Sequence, residues 1–170
     1  MSFLELAKAR YSCRKLTTTP IEPDKIDRIL QAAIAAPTAK NVQPYKIWKI
    51  TSPAAMDKLK QTTNFTFGAE LALVVGVKYD GAFVRPFDKV NFAQIDGAIV
   101  GTHIMLSVQD EGLGTTWVGY FDAPKLQEMF PEMKGYELVA IFPIGYPADD
   151  AKPSNRHEDR KNISDVVTEL

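Results

Sequence analysis

The sequence predicts a single α+β domain. Three observations carry that prediction: 170 residues with 45% apolar content suffice for one hydrophobic core, five segments repeat apolar residues at helical spacing, and four short runs of strand-forming residues lie among them. No repeat, low-complexity tract or linker divides the chain. The resulting order is α-α-β-α-β-α-β-α-β, followed by a polar tail.

Each element has a local reason. Ser2 and Glu5 stand at capping-box spacing, with Phe3, Leu6 and Ala7 on one face of a helix that ends near Arg10. Pro23 opens a second helix, because its missing N–H is harmless in the first turn, and Ile26, Ile29, Leu30, Ala33 and Ile34 recur along it until Pro37 stops it. Residues 45–50 read as a short strand, Ser52-Pro53 starts a helix to about Thr62, and Ala72–Tyr79 reads as a buried strand. The longest helix, about 92–111, shows Ile95, Ala98, Ile99, Thr102, Met105, Leu106 and Gln109 on one face and places Gly97 and Gly101 four apart. Each mid-helix glycine costs ~1 kcal/mol against alanine, so a close approach of another backbone is expected, within the monomer or across a dimer. Gly112 and Gly114 end this helix, Thr115–Phe121 is expected as a strand, Asp122 caps a helix to about Phe130, and Glu137–Ile144 is the last clear strand. The tail ends in Ile163–Leu170, β-branched enough to pair as a strand on its own domain or a partner's.

Composition excludes several classes of function. Lys+Arg 20 against Asp+Glu 21 leaves a net charge of -1, so no basic field draws a nucleic acid. One cysteine, Cys13, makes no internal disulfide, and two histidines, His103 and His157, are too few for a Cys/His zinc cluster, so no metal is expected. This suits a reducing cytoplasm. Residues 1–15 lack a signal-peptide core, and the longest apolar run, Leu71–Val77, is far below the ~20 residues a membrane span needs.

Recognised nucleotide and hydrolase signatures are missing too. Neither G-x-G-x-x-G, nor G-x-x-x-x-G-K-[ST], nor G-x-S-x-G occurs, and His103 falls within a helical pattern where a hydrogen-bonded structural role is expected. Two segments do suggest a site. In an extended Arg10-Tyr11-Ser12-Cys13-Arg14, alternation points Arg10, Ser12 and Arg14 the same way, an arrangement that fits a phosphomonoester, although spacing alone favours a solvated charge pair beside a helix end. Ala36–Tyr45 sets Asn41 and Gln43 between two prolines, which fits the reading of a heterocycle edge and also plain turn chemistry.

These segments carry a resemblance. Arg10–Leu16 resembles the Arg-x-Ser-x-Arg-x-(Phe/Leu) opening of the FMN-dependent nitroreductase family, and Ala36–Tyr45 resembles its Ala-Pro-Ser-x-x-Asn-x-Gln-Pro-Trp segment. Gly112–Phe121 is similar to the family's Gly-Leu-Gly-x-x-Trp-Ile-Gly strand, and Ile144–Pro147 with Arg156, Arg160 and Lys161 is similar to its final strand and basic tail. The four motifs keep the family's order across nearly the whole chain.

The resemblance implies a three-layer α-β-α fold with a central mixed or antiparallel sheet, in an intertwined homodimer whose tail, about 146–170, wraps the partner. It implies noncovalent FMN in a cleft between subunits, its phosphate held by Arg10 and Arg14, with Ser12 and Tyr11 alongside and Arg160 and Arg156 closing from the tail. Pro37, Thr38, Ala39, Asn41 and Gln43 would cover the ring from the second subunit, while Trp117, Val118 and Gly119 would set backbone groups along its reacting edge. Asn64 would reach the pyrimidine side. The implied reaction is ping-pong: NAD(P)H, a transient co-substrate, gives hydride to flavin N5, and a small acceptor such as a nitroaromatic, quinone, enone or flavin removes it. No side chain is expected to be catalytic, since the flavin performs the chemistry. The loop Asp80–Asn91 is shorter than in many relatives, which implies an open pocket lined by Phe83, Arg85 and Phe87. A non-catalytic FMN-storing or sensing protein is the alternative.

Overall fold

Side chains fix the helix starts in the computed structural model, which describes all 170 residues. In α1 (Phe3–Ala9) the Ser2 hydroxyl accepts from the Glu5 amide at 3.3 Å while the Glu5 carboxylate accepts from the Ser2 amide at 2.6 Å. α2 (Pro23–Ile34) and α3 (Pro53–Lys60) both begin on proline, and the Ser52 hydroxyl caps α3. Asp122 caps α5 (Ala123–Met129) by accepting from Lys125 at 3.0 Å.

Four strands, β1 (Tyr45–Ile50), β2 (Leu71–Val77), β3 (Gly114–Thr115) and β4 (Glu137–Gly145), form one sheet in the order β1-β2-β4-β3, and every ladder is antiparallel. Strand alternation divides the core into two faces. Leu73, Val75, Ala140, Phe142 and Ile144 face α2 and α4 (Ala93–Asp110), where Ile29, Val100 and Ile104 meet them. Ala72, Val74 and Ile141 face α3 and α5, where Met56, Leu59 and Leu126 close the other side. The architecture is therefore α-β-α in three layers. No helix is long and apolar enough to cross a membrane.

Four expectations are corrected. The third strand covers Gly114–Thr115 only, instead of reaching Phe121. Beyond the Thr115↔Ile144 pair, Thr116 would need an N–H from position 143, and Pro143 has none, so the ladder breaks and resumes as one bridge, with Val118 and Ile141 exchanging bonds at 3.0 Å. Secondly, Ile163–Leu170 forms no strand; its start is the one-turn α6 (Ile163–Val166), where Asp165 accepts from the Asn162 amide at 3.1 Å. The third concerns α4, which is apolar on more than one side. Its buried stripe is Ala93, Asp96, Gly97, Val100, Gly101, Ile104 and Val108, whereas Ile95, Ala98, Ile99, Thr102, Met105, Leu106 and Gln109 are half-buried or exposed. Lastly, Gly97 and Gly101 make room for side chains of β2, β4 and Trp117 just beyond β3, and not for another backbone of the chain. A Cβ on Gly97 would lie 2.7 Å from Val77 Cγ1, and one on Gly101 would lie 2.6 Å from Trp117 Cζ3 and 2.8 Å from Phe142 Cζ.

One ion pair ties α2 to the end of α4. Arg28 grips Glu111 through two bonds of 2.7 Å, and that hydrogen bond holds the carboxyl below its ordinary value of 4.5. A value lower in the folded than in the unfolded chain adds stability above that ordinary range and loses it as pH falls through the lowered value. Glu111→Gln is thus expected to lower the urea midpoint at neutral pH, with the gap to wild type closing in acid. A gap that ignores pH would refute the assignment.

Candidate functional site

The segment that follows α1 is laid along the edge of the sheet. Cys13 donates its amide to the Thr115 carbonyl at 2.9 Å, beside a parallel bridge between Ser12 and Thr115, and Leu16 donates to Phe67 at 2.9 Å. Thr17 donates to Tyr146 at 2.8 Å and Ala148 to Lys15 at 3.1 Å, and Lys15 also pairs with Asp150. These bonds fix an extended backbone from Ser12 to Thr17 and bring the chain after β4 back beside it.

Extended backbone turns Arg10, Ser12 and Arg14 to one side, and the returning tail supplies Ser154, Arg156, His157 and Arg160. Together with Tyr11 these residues enclose a cavity of about 130 Å³. Its electrostatics are one-sided. The five ion pairs of the molecule lie elsewhere, so none of the four guanidiniums has a carboxylate within 4.0 Å. Arg14 has only a 3.4 Å contact to the Ser12 carbonyl, and Arg160 donates to the Asp159 carbonyl at 2.8 Å. Burial, then hydrogen bonding to Cys13, pushes the Tyr11 phenol up to about 12, so Tyr11 stays neutral and adds no negative charge. Four fixed cations and a hydroxyl around so small a space repel one another until an anion arrives, and the fork-shaped donors suit the oxygens of a phosphomonoester. The donor set therefore fits the phosphate of FMN.

Arg14 also borders a second cavity, a groove of about 150 Å³ along Thr116, Trp117, Val118, Gly119 and Tyr120, with Phe65 and Phe67 on its far side. Three rings cluster there: Phe65 lies 5.8 Å from Phe67 and 5.9 Å edge-on from Tyr120. Trp117 itself leans the other way, wedged against Phe142 at 5.2 Å. The Val118 amide is committed to Ile141, whereas the Gly119 amide donates to no protein acceptor and its residue is exposed. Of the three residues expected to present backbone there, Trp117 and Gly119 keep a free donor, and Gly119 is the exposed one.

The loop after α2 lies outside this cavity. Lys40, Asn41 and Gln43 all hold left-handed backbone, with φ of 52°, 54° and 54°. Such residues cost on the order of 1 kcal/mol each, least for asparagine. Surrounding bonds hold the loop: Thr38 Oγ1 accepts from the Gln43 amide at 3.1 Å, and Asp96 Oδ1 accepts from the Ala39 amide at 2.9 Å. Asp96 is 1% exposed and its Oδ2 has no partner. Pro37, Thr38, Ala39, Asn41 and Gln43 thus form one braced unit, with the Gln43 side-chain Nε2 donating to Asn41 Oδ1 at 3.2 Å.

Phe83, Arg85 and Phe87 border neither cavity. Phe83 stacks edge-on with Phe92 at 5.3 Å and lies under the Lys40 ammonium, Arg85 is taken up by Asp88, and Phe87 is 93% exposed. Asn64 is exposed and borders neither cavity. His103 is structural, its Nδ1 lying 2.9 Å from the Ile99 carbonyl inside α4. Sequence reading missed His157, Ser154, Phe65, Phe67 and Tyr120. His157 adjoins Arg156 in sequence, a signal that was available; the aromatic trio becomes visible only once residues 63–67 and 116–120 meet, as they do where Thr63 Oγ1 donates to the Tyr120 carbonyl at 2.8 Å.

Comparison with known proteins agrees with this geometry. Residues 7–64 and 60–146 match the profile described as the nitroreductase family. A nitroreductase family protein of Clostridium difficile 630, known from its crystal structure, superposes with a TM-score of 0.90 at 34% identity, covering 99% of this chain and 98% of that one. A protein of Archaeoglobus fulgidus named as an NADH dehydrogenase/NAD(P)H nitroreductase is 28% identical over 167 residues, 94% of this chain and 92% of its own. A nitroreductase from Exiguobacterium sibiricum, solved in complex with FMN, shares the fold with a TM-score of 0.81 at 22% identity, covering 100% of this chain and 98% of that one. A cationic cavity built from both ends of the chain, an α-β-α sandwich and a profile spanning most of the sequence lead to one conclusion: the chain belongs to the nitroreductase family.

Proposed function

We propose that the chain is an NAD(P)H-dependent oxidoreductase that binds FMN without a covalent link, between two copies of itself, and reduces a small organic acceptor. The observation that carries this reading is the set of four guanidiniums free of carboxylates, joined through Arg14 to an adjoining groove of about 150 Å³ lined by aromatic rings. In this reading Arg10, Arg14, Arg156 and Arg160 hold the phosphate, Ser12 donates to it, and the Gly119 amide faces the ring's edge. When bound, FMN supplies two-electron chemistry, taking hydride from a reduced nicotinamide and yielding it to a nitroaromatic, quinone, enone or flavin. The groove is lined by aromatic, hydroxyl and backbone groups with no carboxylate or imidazole, so the chain's own part is to bind, orient and exclude water.

A second copy is supported by what one protomer leaves uncovered. α4 keeps a half-exposed apolar face with Ile95 at 43% exposure, and Ile163, Val166, Val167 and Leu170 are all exposed. The braced Pro37–Gln43 unit would then meet the groove from the neighbouring copy.

The test is anaerobic. Purified protein supplied with FMN should be yellow, lose its flavin absorption on adding NADH or NADPH, and regain it on adding a quinone. Colourless protein that takes up no FMN would refute the proposal. Yellow protein that neither nucleotide bleaches would favour flavin storage or sensing instead.

A further inference from the structure

Two departures from easy folding meet where the loop after α2 touches α4. One is the run of left-handed backbone at Lys40, Asn41 and Gln43, which residues with a Cβ hold only where their surroundings impose it. The other is Asp96, a carboxylate in the first turn of α4 that is 1% exposed. That enclosure is complete within one protomer, so whatever lies against the outside leaves it as it is. Of the two oxygens, Oδ1 accepts from the Ala39 amide at 2.9 Å and Oδ2 accepts from no protein donor. Taking a carboxylate out of water costs more than one such bond returns, and the helix start offsets only part of the difference. An apolar side chain would therefore serve the fold here as well or better. What it could not do is hold Ala39.

Ala39 stands at the entry to the left-handed run. Thr38 before it is extended, at φ −131° and ψ 156°, and the chain turns over at Lys40. Within the turn the bonds are local: the Asn41 amide donates to the Thr38 carbonyl at 2.9 Å, and the Gln43 amide to Thr38 Oγ1 at 3.1 Å. Such bonds travel with the loop, so they fix its shape and not its place. Its exit is set where the Lys78 amide donates to the Pro44 carbonyl at 2.8 Å, and its tip where the Lys40 ammonium lies 4.9 Å from the centre of the Phe83 ring. Asp96 sets its entry. We propose that Asp96 is a positioning residue for ligand binding: through the Ala39 amide it holds Pro37–Gln43 in the place from which that unit covers the flavin ring, so that little chain entropy is lost when the ligand arrives. The brace itself follows from the contacts above, whereas its bearing on the ring rests on the function proposed in the preceding subsection.

Two measurements separate these parts. Hydrogen exchange at the Ala39 amide, followed by NMR on the full chain, reads the brace directly. Asp96→Ala is expected to speed that exchange, and to raise the FMN dissociation constant in a fluorescence titration, each about five- to tenfold, the worth of one lost hydrogen bond. Asp96→Asn keeps an acceptor oxygen at the same reach and should hold both within about threefold of wild type. Unchanged exchange in the alanine variant overturns the brace, and a loss that asparagine fails to restore overturns the acceptor role. If exchange quickens while FMN affinity is unchanged, the positioning role is overturned. An alanine variant that fails to fold overturns it as well, because the aspartate would then serve the fold itself. A wild-type chain that binds no FMN overturns the function proposed above and the ring-covering role with it, while the exchange still decides the brace.

Discussion

Gly101→Val is expected to destabilise the fold by about 3 kcal/mol, at the upper end of the usual cost of overpacking a filled core. Helix propensity pulls the other way, since any side chain in mid-helix gains up to ~1 kcal/mol over glycine. Packing wins here. A Cβ at this position meets Trp117 at 2.6 Å and Phe142 at 2.8 Å, and Phe142 is fully buried against the sheet, so the ring that must give way is Trp117. Valine adds two more carbons to a space that holds none. For a chain of this length the loss reads as a fall in melting temperature of roughly 6–12 °C. Gly101→Ala should show the same sign at about 1 kcal/mol, and because Trp117 borders the groove, both variants should weaken FMN binding as well. An alanine variant more stable than wild type would mean that propensity governs this position and that the contacts are loose.

Arg14→Ala is expected to raise the FMN dissociation constant ~10- to 150-fold, equivalent to about 1.5–3 kcal/mol for a charge-assisted bond. Arg14 is singled out because it alone of the four guanidiniums borders both the cationic cavity and the groove, and so would meet the phosphate where it joins the rest of the ligand. Lysine at this position should recover part of the loss, since it restores the charge without the planar fork. Raising salt should weaken wild-type binding more than it weakens binding to the alanine variant, because one screened contact is already gone. Flavin fluorescence titrations of the three proteins check this, and an unaltered affinity in the alanine variant would remove Arg14 from the site.

What the sequence made legible was local. Ser2 with Glu5, Ser52, Asp122 and the prolines at 23 and 53 announce helix starts because a cap needs only its own neighbours. The end of the third strand was hidden because its cause, Pro143, sits on a different strand. The buried stripe of α4 was misread for a similar reason: both of its sides are apolar, and only the sheet decides which one is covered. As for the site, spacing alone left Arg10, Ser12 and Arg14 between an anion site and surface charge, with surface charge favoured. Resemblance tipped that balance toward an anion site, and the Lys15–Ala148 and Lys15–Asp150 contacts are what carry the tail arginines to them. The Arg85–Asp88 pair was legible as well, since Asp88 stands three residues on, within reach of the guanidinium. His157 offered no periodicity to read, and its ring contact is with Lys8 at the opposite end of the chain.

The peptide from Ser12 to Leu16 has two duties, since Cys13 and Leu16 seal the exposed margin of the sheet while the arginines beside them point outward. Evolution can release one duty and keep the other. A descendant that abandoned its ligand would be free to scatter the basic positions, yet selection would still guard the small thiol under Gly114 and the leucine against Gly145. Eroded arginines flanking an intact cysteine and leucine would therefore mark, in any lineage, a scaffold that has outlived its chemistry.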